Sequence, residues 1–273
     1  MKLVSANLNS ATAWSDTARS QAAALLRETG AEIIAVQECP KGHEAALADL
    51  AEQVGGWHYR IGPAPKRLHT ALMWAPHIEE IQGGDSYQED TWHGYTVATL
   101  RGAGWPSPIT VISAHLAPHS SVLAITEAQL LQSRVRRWGH PGIIAGDINH
   151  MPLHGPEPDW DSIPHHNRGS RTLLDPDHPE HVRADRRVVL ALQRGGLTDV
   201  AAHLHQQTND EELLAPTGVY GRTRVDQIHV TEQLTPAIVG YERLDHRDLT
   251  DHHPVAAELD LQRLGLIDKA EFH

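Results

Sequence analysis

The sequence predicts an α/β fold, and three observations carry that prediction. Apolar runs of strand length recur from residue 3 to residue 259, helical spacing fills the gap between the first two, and Pro and Gly fall between candidate elements. The runs also end alike. Leu3-Val4-Ser5-Ala6 leads to Asn7 and Asn9, Ile33-Ile34-Ala35-Val36 to Gln37-Glu38, Ile109-Thr110-Val111-Ile112-Ser113-Ala114 to His115, and Ile143-Ile144-Ala145 to Gly146-Asp147-Ile148-Asn149. Val225 to Val230 carries Asp226, and Thr250-Asp251-His252-His253-Pro254 precedes a last run, Val255 to Leu259. A turn or a cap accounts for any one of these polar ends. Together they point to a shared rim.

In chain order, Asp16 reads as the N-cap of a first helix, with Ala18, Ala22, Leu25 and Leu26 on one face and Gly30 as its stop. This strand–helix–strand unit brings Asn7 and Glu38 to neighbouring ends. A second helix spans Glu44 to Gln53. Trp57 to Ile61, Thr70 to Trp74, Ile78 to Gln82 and Tyr95 to Leu100 read as short strands, arranged as an antiparallel meander on a sheet edge. The loop from Pro63 to His69 presents Arg67 and His69 as candidate substrate contacts. Ser120 or Ser121 caps a long helix whose buried face is Ala124, Ala128, Leu131, Val135 and Trp138, and Arg134, Arg136 and Arg137 suit its C-terminal dipole. Pro118 argues against a helical His115/His119 zinc pair and leaves His119 on the rim.

Residues 150–184 are the least regular stretch, rich in Pro, His, Asp and Arg and longer than an ordinary connection. They are expected to shape substrate access, with Arg168, Arg171, His165 and His166 as candidates for binding phosphate or a polar head group. Gly195-Gly196-Leu197-Thr198-Asp199-Val200 then ends one helix and starts another. Residues 261–273 read as a polar tail behind one domain, 1–260.

Composition narrows the function classes. A hydrophobic fraction of 40% supports a sizeable core. The formal charge of −12 argues against a broad basic face for gripping nucleic acid. A bound divalent cation would still reverse the local field that a phosphodiester meets. Twenty-one histidines make the charge less negative below about pH 6.5. The single cysteine, Cys39, precludes an intrachain disulfide, reads as a small buried thiol, and fits a reducing compartment. The first apolar run is too short for a signal peptide and no stretch reaches membrane-spanning length, so the expected location is the cytoplasm. No obligate protein partner is evident.

Asp147 and Asn149 lie two apart on an extended segment and so share a face, where a carboxylate and an amide can hold a metal ion, a phosphate oxygen or a water. With Asn7, Gln37-Glu38, His115-Leu116, Arg224-Val225-Asp226 and Asp251-His252-His253-Pro254, the ordered set resembles the endonuclease/exonuclease/phosphatase superfamily over residues 7–254. That resemblance implies a four-layer α/β sandwich with two central mixed β-sheets flanked by helices. It also implies a phosphoesterase site that uses Mg2+, with Mn2+ as the alternative.

The resemblance assigns His252 as general base, with Asp226 fixing its tautomer. Asp147 would position the attacking water or protonate the leaving oxygen, Asn149 would hold a non-bridging oxygen, and His115 would donate to the phosphate. Glu38 is the leading metal ligand, since hard carboxylate oxygens suit Mg2+. Asp251 and Asn9 would complete its shell, and Asn7 would share it or touch substrate. The chain departs from the family pattern at Pro40, where some nucleases have a basic residue, and at Asn9, where an acid is common. His253 should face away from His252 on an extended segment.

The first functional reading is a nuclease cutting DNA or RNA. The second keeps the machinery for a small-molecule or lipid phosphate ester, which the acidic charge favours. A third is a non-catalytic binding module on the same fold. A two-metal phosphatase using Asp147 and His150 lacks its companion Asp-x-His and Gly-Asn-His motifs.

Overall fold

The computed structural model describes residues 1–42, 44–66, 68–173, 175–178, 180–219 and 222–265. The first half runs β1 (Lys2–Asn7), α1 (Asp16–Glu28), β2 (Ile33–Pro40), α2 (Glu44–Gly55), β3 (His58–Gly62), β4 (Leu68–Trp74), β5 (Glu79–Gly83), β6 (Tyr95–Arg101) and β7 (Ile109–His115). The second half runs α3 (Ser121–Val135), β8 (Gly142–Asp147), α4 (His165–Arg171), α5 (Arg187–Arg194), β9 (Leu197–Asp199), α6 (Val200–Thr208), β10 (Asp226–Thr231), β11 (Ile238–Arg243) and β12 (Val255–Leu259).

Alternation along the strands sets the layers. Leu3, Ile33, Ala35, Ile109, Val111, Ile143 and Ala145 meet in one cluster between two sheets. Their neighbours face outward, Val4, Ile34 and Val36 toward α1 and α2, and Ile112 and Ile144 toward α3 and α5. Burial on both faces is why these strands are continuously apolar. The sheets are six-stranded among the described residues, ordered β11-β12-β1-β2-β4-β3 and β5-β6-β7-β8-β10-β9. Each is mixed: β1 and β2 run parallel through α1, β7 and β8 run parallel through α3, and the flanking pairs are antiparallel. The four-layer sandwich with two mixed sheets is therefore the observed fold.

This topology makes a single functional rim. The C-terminal ends of β1, β2, β7 and β8 lie beside the starts of their antiparallel neighbours, β12 against β1 and β10 against β8. Asp226, the first residue of β10, pairs with Asp147, the last of β8. Ligands of open α/β sheets bind at such carboxyl ends.

Three local expectations change. Ser15, not Asp16, is the N-cap of α1, its side chain accepting from Ala18 N, while Asp16 opens the helix and pairs with Arg19 at 2.8 Å. The four short strands are not one meander. β3 and β4 extend the first sheet and β5 and β6 the second, because Trp74, Ala75 and Ile78 bury themselves between the sheets and carry the chain across. Residues 261–264 are not simply a polar tail, since Leu261 and Leu264 pack into the inter-sheet core; residues 266–273 lie outside the described residues. The long helix is capped by Ser120 as the pattern indicated, and no helix among the described residues is long and apolar enough to cross a membrane.

Buried charge braces the far flank. Asp199 caps α6 and also accepts two hydrogen bonds from Arg224, at 2.5 and 3.2 Å, both residues being buried. Removing one partner strands the other, so Asp199→Ala should cost about 3–5 kcal/mol, read as a lowered urea midpoint. Next to this pair, burial pushes the His229 pKa down to about 4, so the folded state holds the ring neutral. The unfolded chain takes up that proton below about pH 6.5. Stability should therefore fall as pH drops from about 6.5 to about 4, and His229→Gln should flatten that slope in urea titrations run across the window.

Candidate active site

Each inward-facing row of side chains changes from apolar to polar as it nears the rim. Leu3 is followed by Ser5 and Asn7, Ala35 by Gln37, Val111 by Ser113 and His115, and Ala145 by Asp147. Buried polar groups need partners, and here they find them across the sheets. Gln37 Nε2 donates to Ser113 Oγ at 3.0 Å, Ser5 Oγ donates to Gln37 Oε1 at 3.3 Å, and Asn7 Nδ2 donates to Asp147 Oδ2 at 3.1 Å.

Glu38 reaches the rim by a different device. The β2–β4 register shifts between Val36 and Cys39, and Glu38 takes a φ of 61°, left-handed backbone that is strained for a glutamate. The bulge turns its carboxylate out of the alternating rows, where Asn7 Nδ2 at 3.3 Å and Ser10 N at 2.9 Å hold it. Asn9 and Asn149 are also left-handed, at 45° and 61°, a conformation that asparagine tolerates. Asn9 Nδ2 donates to Asp251 Oδ1 at 2.6 Å.

Across from Glu38, His252 Nδ1 hydrogen-bonds Asp226 Oδ2 at 2.8 Å, while its Nε2 lies 3.9 Å from Asp147 Oδ2. Thr217 aligns this pair: its Oγ1 accepts from Val225 N and Asp226 N, and its carbonyl accepts from His253 N at 2.7 Å. His115 Nε2 stands 3.6 Å from the same Asp147 oxygen. Asp147 thus sits at the centre, with Asn7, His115 and His252 around it. Donor atoms of Asp147, Asp226 and His252 all lie within 4.8 Å of one another.

The electrostatics follow from burial. Burial pushes the Asp147 carboxyl up to about 7, with Asp226 and Glu38 adding to the rise and His252 opposing it. Burial acts to lower the His252 pKa, but the charges of Asp226 and Asp147 and the Asp226 hydrogen bond outweigh it and bring it up to about 10. Burial, with His252 nearby, takes His115 down to about 3. Three acids meeting in one partly desolvated site favour a cation beside them. Glu38 supplies a part-buried hard oxygen donor of the kind a divalent ion that keeps most of its water needs, while the Asn9 amide is engaged by Asp251 and by Ala11 N.

Two cavities flank the centre. One of about 310 Å³, beside His252, is lined by Asp251, Asn149, Arg171, His166 and Asn167. The other, of about 820 Å³ beside Ser10, is lined by Lys41, Lys66, Trp92 and His93, with Lys66 Nζ 4.8 Å above the Trp92 ring.

No family model and no curated protein matches the sequence. Solved structures do match. A 3′ phosphatase, NExo, from Neisseria bound to a product DNA hairpin superposes with a TM-score of 0.66 at 18% identity, over 95% of this chain and 99% of that one. An AP endonuclease from Archaeoglobus fulgidus gives 0.65 at 18% identity, over 95% and 99%. A mannosyl-6-phosphatase from Bacteroides thetaiotaomicron gives 0.64 at 17% identity, over 95% and 99%. The chain has the endonuclease/exonuclease/phosphatase fold.

Within that fold, the rim gathers Asn7, Glu38, His115, Asp147, Asn149, Asp226, Asp251 and His252, and Asn9 joins through Asp251. Asn149 is differently employed from the expectation: its side-chain amide donates to Leu116 O at 3.0 Å, and its backbone N–H donates to Asp147 Oδ1 at 2.8 Å, so it first fixes the loop. Arg171 is buried at the cavity wall, its Nη1 without a hydrogen-bond partner. Arg168 turns away, with Nε on Ile163 O at 2.9 Å and Nη2 3.7 Å from Asp161. His69 is buried in β4 with Nδ1 on Gly62 O at 3.0 Å, so pairing in the strand takes it out of substrate reach. Arg67 lies outside the described residues. His253 faces away from His252, onto Leu244 O at 3.0 Å.

Two residues were not singled out from sequence. His93 stacks on His115 with ring centroids 4.0 Å apart, and burial takes its pKa down to about 3. Its place depends on Gly94 at φ 70°, where a Cβ would sit 2.2 Å from Pro63 O. Glu127, on the buried face of α3, accepts from Trp92 N at 2.6 Å and Ala117 N at 2.7 Å, clamping the two loops that carry this stack. A buried acid on an apolar helical face was the available signal. Glu127→Gln replaces one acceptor oxygen with a donor and leaves an amide N–H unmatched, which should lower unfolding free energy by about 1–3 kcal/mol in urea melts.

Proposed function

We propose that the protein is a Mg2+-dependent phosphodiesterase, and specifically a nuclease. The observation that carries this reading is the convergence on one rim of Glu38, the central Asp147, and the Asp226–His252 pair. Flanking cavities on opposite sides favour a chain-like substrate. Lys41 and Lys66 would meet phosphates on one side, Trp92 offers a stacking surface, and Arg171 would meet a phosphate on the other. The matched solved structures include an AP endonuclease and a DNA-bound 3′ phosphatase.

In this reading Glu38, with Asp251 and Asn9 alongside, holds the cation. When bound, it neutralises charge on the phosphoryl oxygens. Asn7 fixes the Glu38 and Asp147 carboxylates against each other across the two sheets. His252, oriented through Nδ1 by Asp226, presents Nε2 to the reacting water and would take its proton in the neutral form, which a bound cation favours by offsetting the carboxylate charge that raises the ring's pKa. Asp147 orients that water or, with its raised pKa, delivers a proton to the leaving oxygen. His115, neutral and stacked on His93, donates to a non-bridging oxygen. Residues 1–260 act as one catalytic domain, since β1 and β12 pair directly. The lone buried Cys39 accords with a reducing compartment such as the cytoplasm.

A second reading, a phosphatase or phosphodiesterase for small esters, is favoured by Arg171, a buried guanidinium with a free Nη1 at the end of the smaller cavity. Purified protein with Mg2+ should cut plasmid, single-stranded DNA or RNA, and chelation should abolish the cutting. His252→Ala should lower kcat by about 10²–10⁴-fold, and Glu38→Gln should raise the Mg2+ concentration giving half-maximal rate. Hydrolysis of small phosphate esters alone, lost in Arg171→Gln, would establish the second reading. Full activity of His252→Ala would remove the assigned base.

A further inference from the structure

The segment between α4 and α5 carries a cluster that the catalytic rim does not use. Glu180 Oε1 lies 3.5 Å from His178 Nδ1 and 3.5 Å from His181 Nε2. The two ring centroids are 5.0 Å apart with planes inclined by 20°, and one donor atom from each of the three residues falls within a 4.8 Å set. All three are exposed, so core packing does not force them together. The backbone does. Thr172 and Ala184 form a bridge, Leu173 N donates to Arg183 O at 2.9 Å, Asp175 Oδ1 accepts from Asp177 N and His178 N, and His181 N returns to His178 O at 3.0 Å.

Those spacings match a coordination shell. Metal–nitrogen bonds of about 2.0–2.1 Å in tetrahedral geometry place neighbouring donors roughly 3.3 Å apart, close to the 3.5 Å found at Glu180. We propose that His178, Glu180 and His181 form a second metal site, which takes a divalent transition ion of the zinc class and leaves its fourth position to water. Two imidazoles and one carboxylate suit zinc, whereas Mg2+ seeks an all-oxygen shell. The two sites therefore select different ions, and this one stands whatever reaction the rim performs.

Its position gives it leverage. His178 and His181 line a cavity of about 560 Å³ together with Arg168 and Thr172, while Arg171, on the same short helix, lines the cavity beside His252. An ion at the tip of the segment stiffens the loop behind α4 and, through it, the helix that positions Arg171.

The test uses the full chain without a histidine tag, stripped of metal and held in excess Mg2+ so that the oxygen-rich rim is occupied. Zn2+ is titrated calorimetrically, and Co2+ is followed by its visible absorption. The wild type should bind one equivalent more than the His178→Gln/His181→Gln double variant, with a tetrahedral Co2+ band only in the former. A His165→Gln/His166→Gln control should bind like the wild type, and equal thermal midpoints of the metal-free proteins should show that both variants fold. Hydrogen exchange over residues 164–173 should slow with Zn2+ in the wild type alone. Equal Zn2+ stoichiometry in wild type and double variant, or no Zn2+ uptake by the wild type, overturns the proposal.

Discussion

The arrangement depends on one side chain, Asn7, whose amide donates to Glu38 from the neighbouring strand and to Asp147 from the opposite sheet. Two carboxylates at this depth repel each other and resist desolvation. A neutral double donor between them relieves both penalties without adding charge. It also fixes the separation of the sheets at the rim, where apolar packing gives way to hydrogen bonds. Thr250 Oγ1, bonding Asn7 O at 2.8 Å, ties the His252 loop to the same residue.

The polar network beneath the rim serves a related purpose. Gln37, Ser5 and Ser113 are fully buried and join the two sheets one layer below the acids. An apolar layer there would let the sheets slide by a residue pair at little loss. Directional bonds specify one register, and through it the relative placement of groups drawn from five strands and the loop before β12.

Much of this was readable from residue order. Continuous apolar runs gave the buried strands, and the recurrence of polar groups at their ends gave the rim, because a turn or a cap explains one such end but not the whole series. What escaped depends on geometry that alternation does not encode. The Glu38 bulge breaks the period of two, so its direction could not be deduced from its position in the run. His69 has the polarity of a contact residue but sits in a paired strand, and sequence does not say which side of a loop becomes ladder. Arg168 and Arg171 are three residues apart in one short helix, yet one lines the cavity behind it and the other the cavity beside His252. Glu127 is remote in sequence from the loops it clamps, and His93 lies on a connection whose path is set by a glycine.

The order of the strands also bears on synthesis. The first sheet is begun by β1 but flanked on that side by β12, so β1 keeps an open edge until β12 has docked. A nascent polypeptide that has emerged only as far as β10 already holds Asn7, Glu38, Asp147 and Asp226, yet it lacks the imidazole that follows Asp251. The rim is therefore completed only when the loop carrying His252 is drawn in by the docking of β12 against β1, so its assembly is coupled to closure of the first sheet.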